Sequence, residues 1–235
     1  MFTWGPRSSG GDPYWPNVAL LLHCEGANGS ATLVDSSSYA VNFTTSTSQH
    51  DISTARAKFG SSSLRVKNAS PTSPPAWSGA RFTPAAGGAF TFECWFDTTA
   101  AFNGTEAPPI IRILDNVNAE FIRVSQYALG NEINVRFGAA DTETYHSFAP
   151  DGAGWVHIAI EMLAGTGYVY AGGALCRSYP RDGNGTGSWS VYVGAAQSGS
   201  GSNALTCHID EVRFTSGVAR YGAPFTPPTA AFPDN

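Results

Sequence analysis

His23-Cys24 and Cys207-His208 set side by side the residue types of thiol catalysis and metal binding. A nucleophilic thiolate needs its imidazole within hydrogen-bond reach. Both pairs lie in strand-like contexts, where neighbours point to opposite faces, so neither pair makes its own dyad. Cross-pairing between strands stays open. Cys24, Cys94 and Cys207 sit among apolar residues, where a free thiol behaves as a small hydrophobe. No C-x-x-C spacing seeds a zinc site. Nothing in the sequence calls for a disulfide, though a bridge across sheet neighbours stays open.

Carboxylates come next. Retaining glycoside hydrolysis needs two carboxyl groups about 5–5.5 Å apart, as acidic residues at i and i+2 or i+4 of a strand would supply. In His208-Ile209-Asp210-Glu211-Val212-Arg213 the two acids are adjacent. They are expected to face opposite ways, with Asp210 sharing a face with His208 and Val212, and to pair with Arg213 or cap a loop. Calcium would draw on loop oxygens such as Asp35, Asp141 and Glu143, but no full ligand set is in view, and Asp35-Ser36-Ser37-Ser38 reads first as an Asx turn. No cofactor is expected. Phosphate-loop and nucleophile-elbow motifs are absent.

Aromatic residues beside polar loops remain. Trp77, Tyr145 and Trp189 have the neighbours of a sugar-stacking or protein-interface residue. Ordinary packing is the competing reading for each. Phe2, Trp4, Tyr14 and Trp15 lie in an irregular Gly- and Pro-rich arm over residues 1–17. They either fold back on the domain or dock on a partner, with docking favoured for Phe2 and Trp4.

The elements that must position these residues read as strands. Phe90–Asp97 alternates, which puts Phe90, Phe92, Cys94 and Phe96 on one face. Val18–Cys24 is mostly apolar, as in a strand covered on both faces. Further strands are expected at Ile110–Leu114, Phe121–Ser125, Ile133–Phe137, Trp155–Leu163, Tyr168–Ala171, Ser190–Val193 and Cys207–Phe214, with turns at Asn103-Gly104, Asp151-Gly152, Gly172-Gly173 and Asp182-Gly183. Ser53–Phe59 is the one helical candidate. The spacing predicts an all-β, two-sheet antiparallel sandwich over residues 18–235, ending in a Pro-rich tail.

Composition fits one domain of 235 residues, with 42% hydrophobic residues and only 13% charged. With 13 basic and 18 acidic residues the net charge is −5, and the arginines at 56, 65, 81, 112, 123 and 136 look scattered. That is a poor footprint for nucleic acid, and no apolar run is long enough for a membrane helix. The opening residues show no signal-peptide pattern. The Asn-x-Ser/Thr matches at Asn28, Asn42, Asn68, Asn103 and Asn184 then read as chance occurrences.

In chain order several segments resemble laminin-G-like (concanavalin A-like) jelly-roll domains. They are Pro16–Ser30, Asp35-Ser36-Ser37, Ile52–Gly60, Phe90–Phe96, the W-x-H-x-A strand Trp155–Ala159, and His208–Phe214 with Gly217–Tyr221 and Phe225–Pro228. The closing segment is similar to versions common in tailed-bacteriophage virion proteins. Related jelly-roll glucanases carry Glu-x-Asp-x-x-Glu on one strand. Here His208 and Arg213 stand at the first and last positions, so the resemblance implies the fold without the hydrolase. It also implies a non-enzymatic bacteriophage virion protein, located in the virion. Such a protein would be a capsid decoration or cement protein, or a tail accessory protein. It would bind neighbouring capsid or tail subunits as a homo-oligomer or in repeated copies. The alternative is a carbohydrate-binding, lectin-like adhesion module for host surface polysaccharide.

Overall fold

A computed structural model describes residues 11–44, 50–67, 76–79, 88–97, 99, 109–114, 120–127, 131–138, 141–180, 189–193 and 207–235; for some strand residues, Trp77 and Trp189 among them, it describes the backbone alone. In chain order the strands are β1 Val18–Leu22, β2 Thr32–Leu33, β3 Phe43–Thr44, β4 His50–Ser53, β5 Ser63–Val66, β6 Ala76–Gly79, β7 Phe90–Asp97, β8 Pro109–Leu114, β9 Glu120–Tyr127, β10 Glu132–Arg136, β11 Thr144–Ser147, β12 Trp155–Leu163, β13 Thr166–Ala171, β14 Ala174–Pro180, β15 Trp189–Val193 and β16 Cys207–Ser216.

They form two antiparallel sheets. The larger runs β14-β13-β12-β7-β16-β5-β4, with β1 also paired to β16; the six-stranded sheet runs β11-β10-β9-β8-β15-β6; β2 and β3 pair separately. The expected sandwich is what forms. Phe90, Phe92, Cys94 and Phe96 face inward with Val156, Ile158 and Ile160 of β12, against Ile111, Ile113, Ile122, Val124, Val135 and Val191 of the other sheet. Period-2 alternation explains this directly. β1 is buried along its whole length, as its unbroken apolar run requires. At Gly172-Gly173 both residues have positive φ (59° and 79°), the two-residue hairpin turn that links β13 to β14.

Three expectations need correction. Ser53–Phe59 makes no helix: β4 ends at Ser53 and bends follow. The helical turn lies instead inside the presumed irregular arm, as a 3-10 turn at Trp15–Asn17 with Pro16 near its start. Most consequentially, β16 carries a bulge at Asp210–Glu211, where Glu211 takes φ 51°. Val212 then returns to the core, so Asp210 does not share its face. At this bulge the partner of β16 also changes, from β5 (Cys207–Ile209) to β1 (Val212–Thr215).

Antiparallel sheets commonly leave one face solvated. Here β7 is buried at all eight positions. Of its outward residues, Thr91 and Glu93 lie beneath the chain's last segment, 217–235, while Trp95 and Asp97 are covered by the loop after β4, Trp95 by Lys58 and Phe59 and Asp97 by Arg56. Trp15 packs with Val18, Leu21 and Phe232 in a second small apolar cluster on that side.

Candidate binding face

The outer face of the larger sheet gathers chemistry-bearing side chains by cross-strand register. Ala159, Glu93 and Arg213 align across β12, β7 and β16, and His157 aligns with Trp95 and Asp210. Arg213 donates from Nε to Glu93 (2.9 Å) and from Nη1 to Asp12 (2.9 Å), while its guanidinium lies 3.9 Å from the Phe232 ring centroid. Arg220 grips Asp12 with two nitrogens, at 3.0 and 2.7 Å. The second Glu93 oxygen receives the Tyr221 hydroxyl at 2.5 Å and lies 3.1 Å from His157 Nε2. Burial alone would raise the Glu93 carboxyl; Arg213 and His157 more than offset it and hold it far below the usual carboxylate range.

A carboxylate, an imidazole and a phenol in contact could form an acid–base site, but these are committed to holding the chain's end. Glu161 accepts the backbone N–H groups of Tyr221 and Gly222 at 2.8 and 2.9 Å, and Thr91 accepts that of Arg220 at 2.9 Å. Glu211 accepts the Phe232 N–H at 2.8 Å. His23 spans Glu211 and Asp234, 2.9 Å from each; chiefly the Glu211 contact raises its imidazole to about 9. Glu93 and His157 are themselves fully buried.

The bulge also resolves the adjacent acids. Asp210 caps a loop, accepting the N–H groups of Lys58 (2.8 Å) and Phe59 (3.2 Å), and Glu211 serves the tail. Neither pairs with Arg213. Burial raises Asp210 to about 7 despite those N–H donors. All four cysteines are free thiols. Burial pushes those of Cys24, Cys94 and Cys207 upward, away from the reactive thiolate. Asp35 takes backbone N–H groups from Leu21, Ser37 and Val41, the Asx-type staple its sequence suggests. Asp141 accepts from the Phe137 N–H and Arg177, and Glu143 from Arg123 and Asn134. Among the described residues no group of three or more His, Cys, Asp or Glu could hold a metal ion.

The outer face of the six-stranded sheet is different. Tyr192, Arg112, Arg123 and Arg136 stand directly opposite one another across β15, β8, β9 and β10. Three of the arginines that look scattered in sequence, Arg112, Arg123 and Arg136, thus form one cross-strand row. Each sits between two inward-facing apolar residues: Ile111 and Ile113, Ile122 and Val124, Val135 and Phe137. That repeated apolar-Arg-apolar pattern is the signal a sequence reading could have used. Like charges directly opposite repel, so the row attracts anions. Arg123 donates to Glu143 Oε1, Arg136 lies 3.9 Å from the same oxygen, and Asn134 Nδ2 donates to Glu143 Oε2 at 2.8 Å. In the next row Tyr145, Asn134 and Ser125 align. Tyr145 is 51% exposed, whereas Ser125 Oγ and Asn134 Oδ1 are buried without a hydrogen-bond partner.

The aromatic candidates distribute accordingly. Trp77, Trp189 and Tyr145 all fall on this sheet, Trp77 opposite Val191 and Trp189 opposite Gly79 toward one edge, Tyr145 on the other edge strand. Tyr14 and Trp15 have partners within the chain: the Arg220 guanidinium lies 5.2 Å from the Tyr14 ring centroid, and Trp15 packs by Phe232. Phe2 and Trp4 lie outside the described residues.

No curated protein sequence matches the chain. Among solved structures, the binding domain of Paraclostridial Mosquitocidal Protein 1 superposes with a TM-score of 0.59 at 13% identity, over 88% of this chain and 50% of that one. A Trypanosoma rangeli sialidase, solved with a difluorinated KDN, gives 0.60 at 17% identity, over 87% of this chain and 31% of that one. The chain thus spans about half of one and a third of the other, and at these identities the likeness is one of fold. The profile of the concanavalin A-like lectin/glucanases superfamily matches residues 60–219. These residues carry the inner faces of both sheets and the arginine row, and the chain belongs to that superfamily, in its laminin-G-like form.

Proposed function

We propose that this chain is a lectin-like binding module, not a hydrolase, and that it takes a glycan on the outer face of the six-stranded sheet. The observation that carries this is an exposed aromatic ring, Tyr145, standing opposite Asn134 and beside the arginine row. A sugar offers C–H faces to such a ring and hydroxyls to polar side chains at its rim. On the larger sheet, the strand aligned with the glucanase motif has its carboxylates and Arg213 engaged in loop and tail contacts, which favours binding over hydrolysis.

The test is titration calorimetry on glycans selected from a polysaccharide array. Tyr145→Ala is expected to weaken binding about tenfold, a loss near 1.4 kcal/mol, with thermal unfolding little changed. Binding that survives Tyr145→Ala, or no glycan binding at all, overturns the reading.

A second reading, attachment to neighbouring subunits of a phage particle, is favoured by one observation. Val34 (51% exposed), Tyr39 (51%) and Val41 (50%) are displayed on a loop stapled by the buried Asp35. Saturable co-sedimentation with undecorated particles, lost on Val34→Asp with Val41→Asp, is the expected result. Absence of co-sedimentation removes it.

A further inference from the structure

Resting on the glycan reading, the geometry points to a carboxylate-bearing sugar as the ligand, with its carboxylate taking the place that the Glu143 side chain occupies. The site is already shown to suit that group, because a carboxylate sits in it. Arg123 and the Asn134 amide each donate to a different oxygen of Glu143, with Arg136 3.9 Å away. Guanidinium–carboxylate hydrogen bonds are the strong, geometrically specific ones.

Glu143 is also placed to give way. Its side chain is 33% exposed while that of Arg123 is 14% exposed, so solvent reaches the carboxylate more readily than its partner. It lies in the short loop before β11, the edge strand of the sheet. The backbone of that loop is fastened independently: Asp141 accepts the Phe137 N–H and an Arg177 nitrogen, both at 2.8 Å. A rotamer change at Glu143 therefore suffices, and the sheet need not move. The neighbouring row then supplies what a sugar needs beyond its acid group, the exposed Tyr145 ring for a C–H face. A free internal competitor lowers apparent affinity by the fraction of sites it fills.

The experiment compares oligogalacturonate with its methyl ester, which is the same sugar without the charge, on the wild-type protein and on Glu143→Gln. The free acid is expected to bind at least tenfold tighter than the ester. Glu143→Gln keeps an acceptor for Asn134 but removes the competing charge; it is expected to tighten acid binding several-fold and ester binding by less. Arg123→Gln abolishes the preference, and Arg136→Gln reports the same if that variant misfolds. Equal affinity for acid and ester, or weaker acid binding by a folded Glu143→Gln, overturns this inference while neutral-glycan binding leaves the broader reading standing. Absence of binding to any glycan overturns both. Binding of poly-glutamate alone, with the same gain in Glu143→Gln, overturns the sugar assignment in favour of an acidic protein.

Discussion

Arg213 is fully buried between two carboxylates, and its removal leaves Glu93 and Asp12 with one cation fewer in a dry site. Breaking such a buried pair costs about 3–5 kcal/mol, so Arg213→Ala is expected to lower the urea midpoint accordingly. Arg213→Met combined with Glu93→Gln is expected to recover part of the loss, because it removes the Glu93 charge together with its cation and leaves Asp12 paired with Arg220. The pH dependence follows from the same residues. Asp12, Glu93 and Asp97 are held below the usual carboxylate range, so their stabilisation is present above about pH 4 and is lost as acid protonates them. His23 has the opposite sense: raised to about 9, it contributes fully below its unfolded value of 6.5 and loses that contribution as pH rises through 9. His23→Gln is therefore expected to cost at most about 3 kcal/mol near pH 6 and little above pH 9.5, measured by denaturant titration across that range. A cost independent of pH would remove the ion pair from the account. Asp210, raised to about 7, has the same sense in an earlier window: its contribution is full below its unfolded value of 3.8 and is lost as pH rises through 7. None of this was legible in the sequence, because alternation places Asp210 and Glu211 on opposite faces, and the left-handed residue at Glu211 that breaks the alternation has no compositional signature.

At the level of elements, the long strands were plain in the sequence because each alternates or is continuously apolar: the bounds expected for Phe90–Asp97 and Trp155–Leu163 are those observed. The short ones, β2 to β6 and β11, have too few residues to show a period, and the longer β14 was not expected because its largely exposed residues do not alternate apolar with polar. The arginine row was hidden for another reason. Arg112, Arg123 and Arg136 are separated along the chain and are aligned only by strand register, which depends on hairpin lengths rather than on local pattern. The Pro-rich tail packs on its own chain: Tyr221 stacks on Phe225 at 3.5 Å and the Phe225 N–H donates to the Gly173 carbonyl at 2.9 Å. That last contact makes Gly173 a sensitive point. A Cβ there would fall 1.9 Å from the Phe225 carbonyl oxygen, and Gly173 has φ 79° besides. Gly173→Ala must therefore displace the tail backbone or strain the turn, at a cost of about 1–3 kcal/mol for the strain alone. Amide exchange of Tyr221 and Phe232 should accelerate in this variant well before that of β8 or β9. Uniform acceleration across both sheets would mean that the tail is not a separable unit.

The whole molecule divides its polar chemistry between two outer faces separated by one apolar core. On the larger sheet, charges are buried and spent on fastening residues 12–17 and 217–235. On the smaller, arginines, Asn134, Ser125 and Tyr145 are assembled around a carboxylate that belongs to the chain itself. Two packed sheets stand about 10 Å apart, and sites farther apart than about 7–10 Å without shared partners add in their energetic effects within about 0.5 kcal/mol. The two outer faces are separated by both backbones as well as by the core. The stability losses of Arg213→Ala and Arg123→Gln are accordingly expected to add in the double variant. Glycan affinity, measured on protein that is still folded, is expected to follow Arg123 alone. A coupling above about 1 kcal/mol in that cycle, or a change of affinity with Arg213→Ala, would mean that the tail-covered face and the arginine face communicate through the core, and that fastening the tail is part of how the ligand is held.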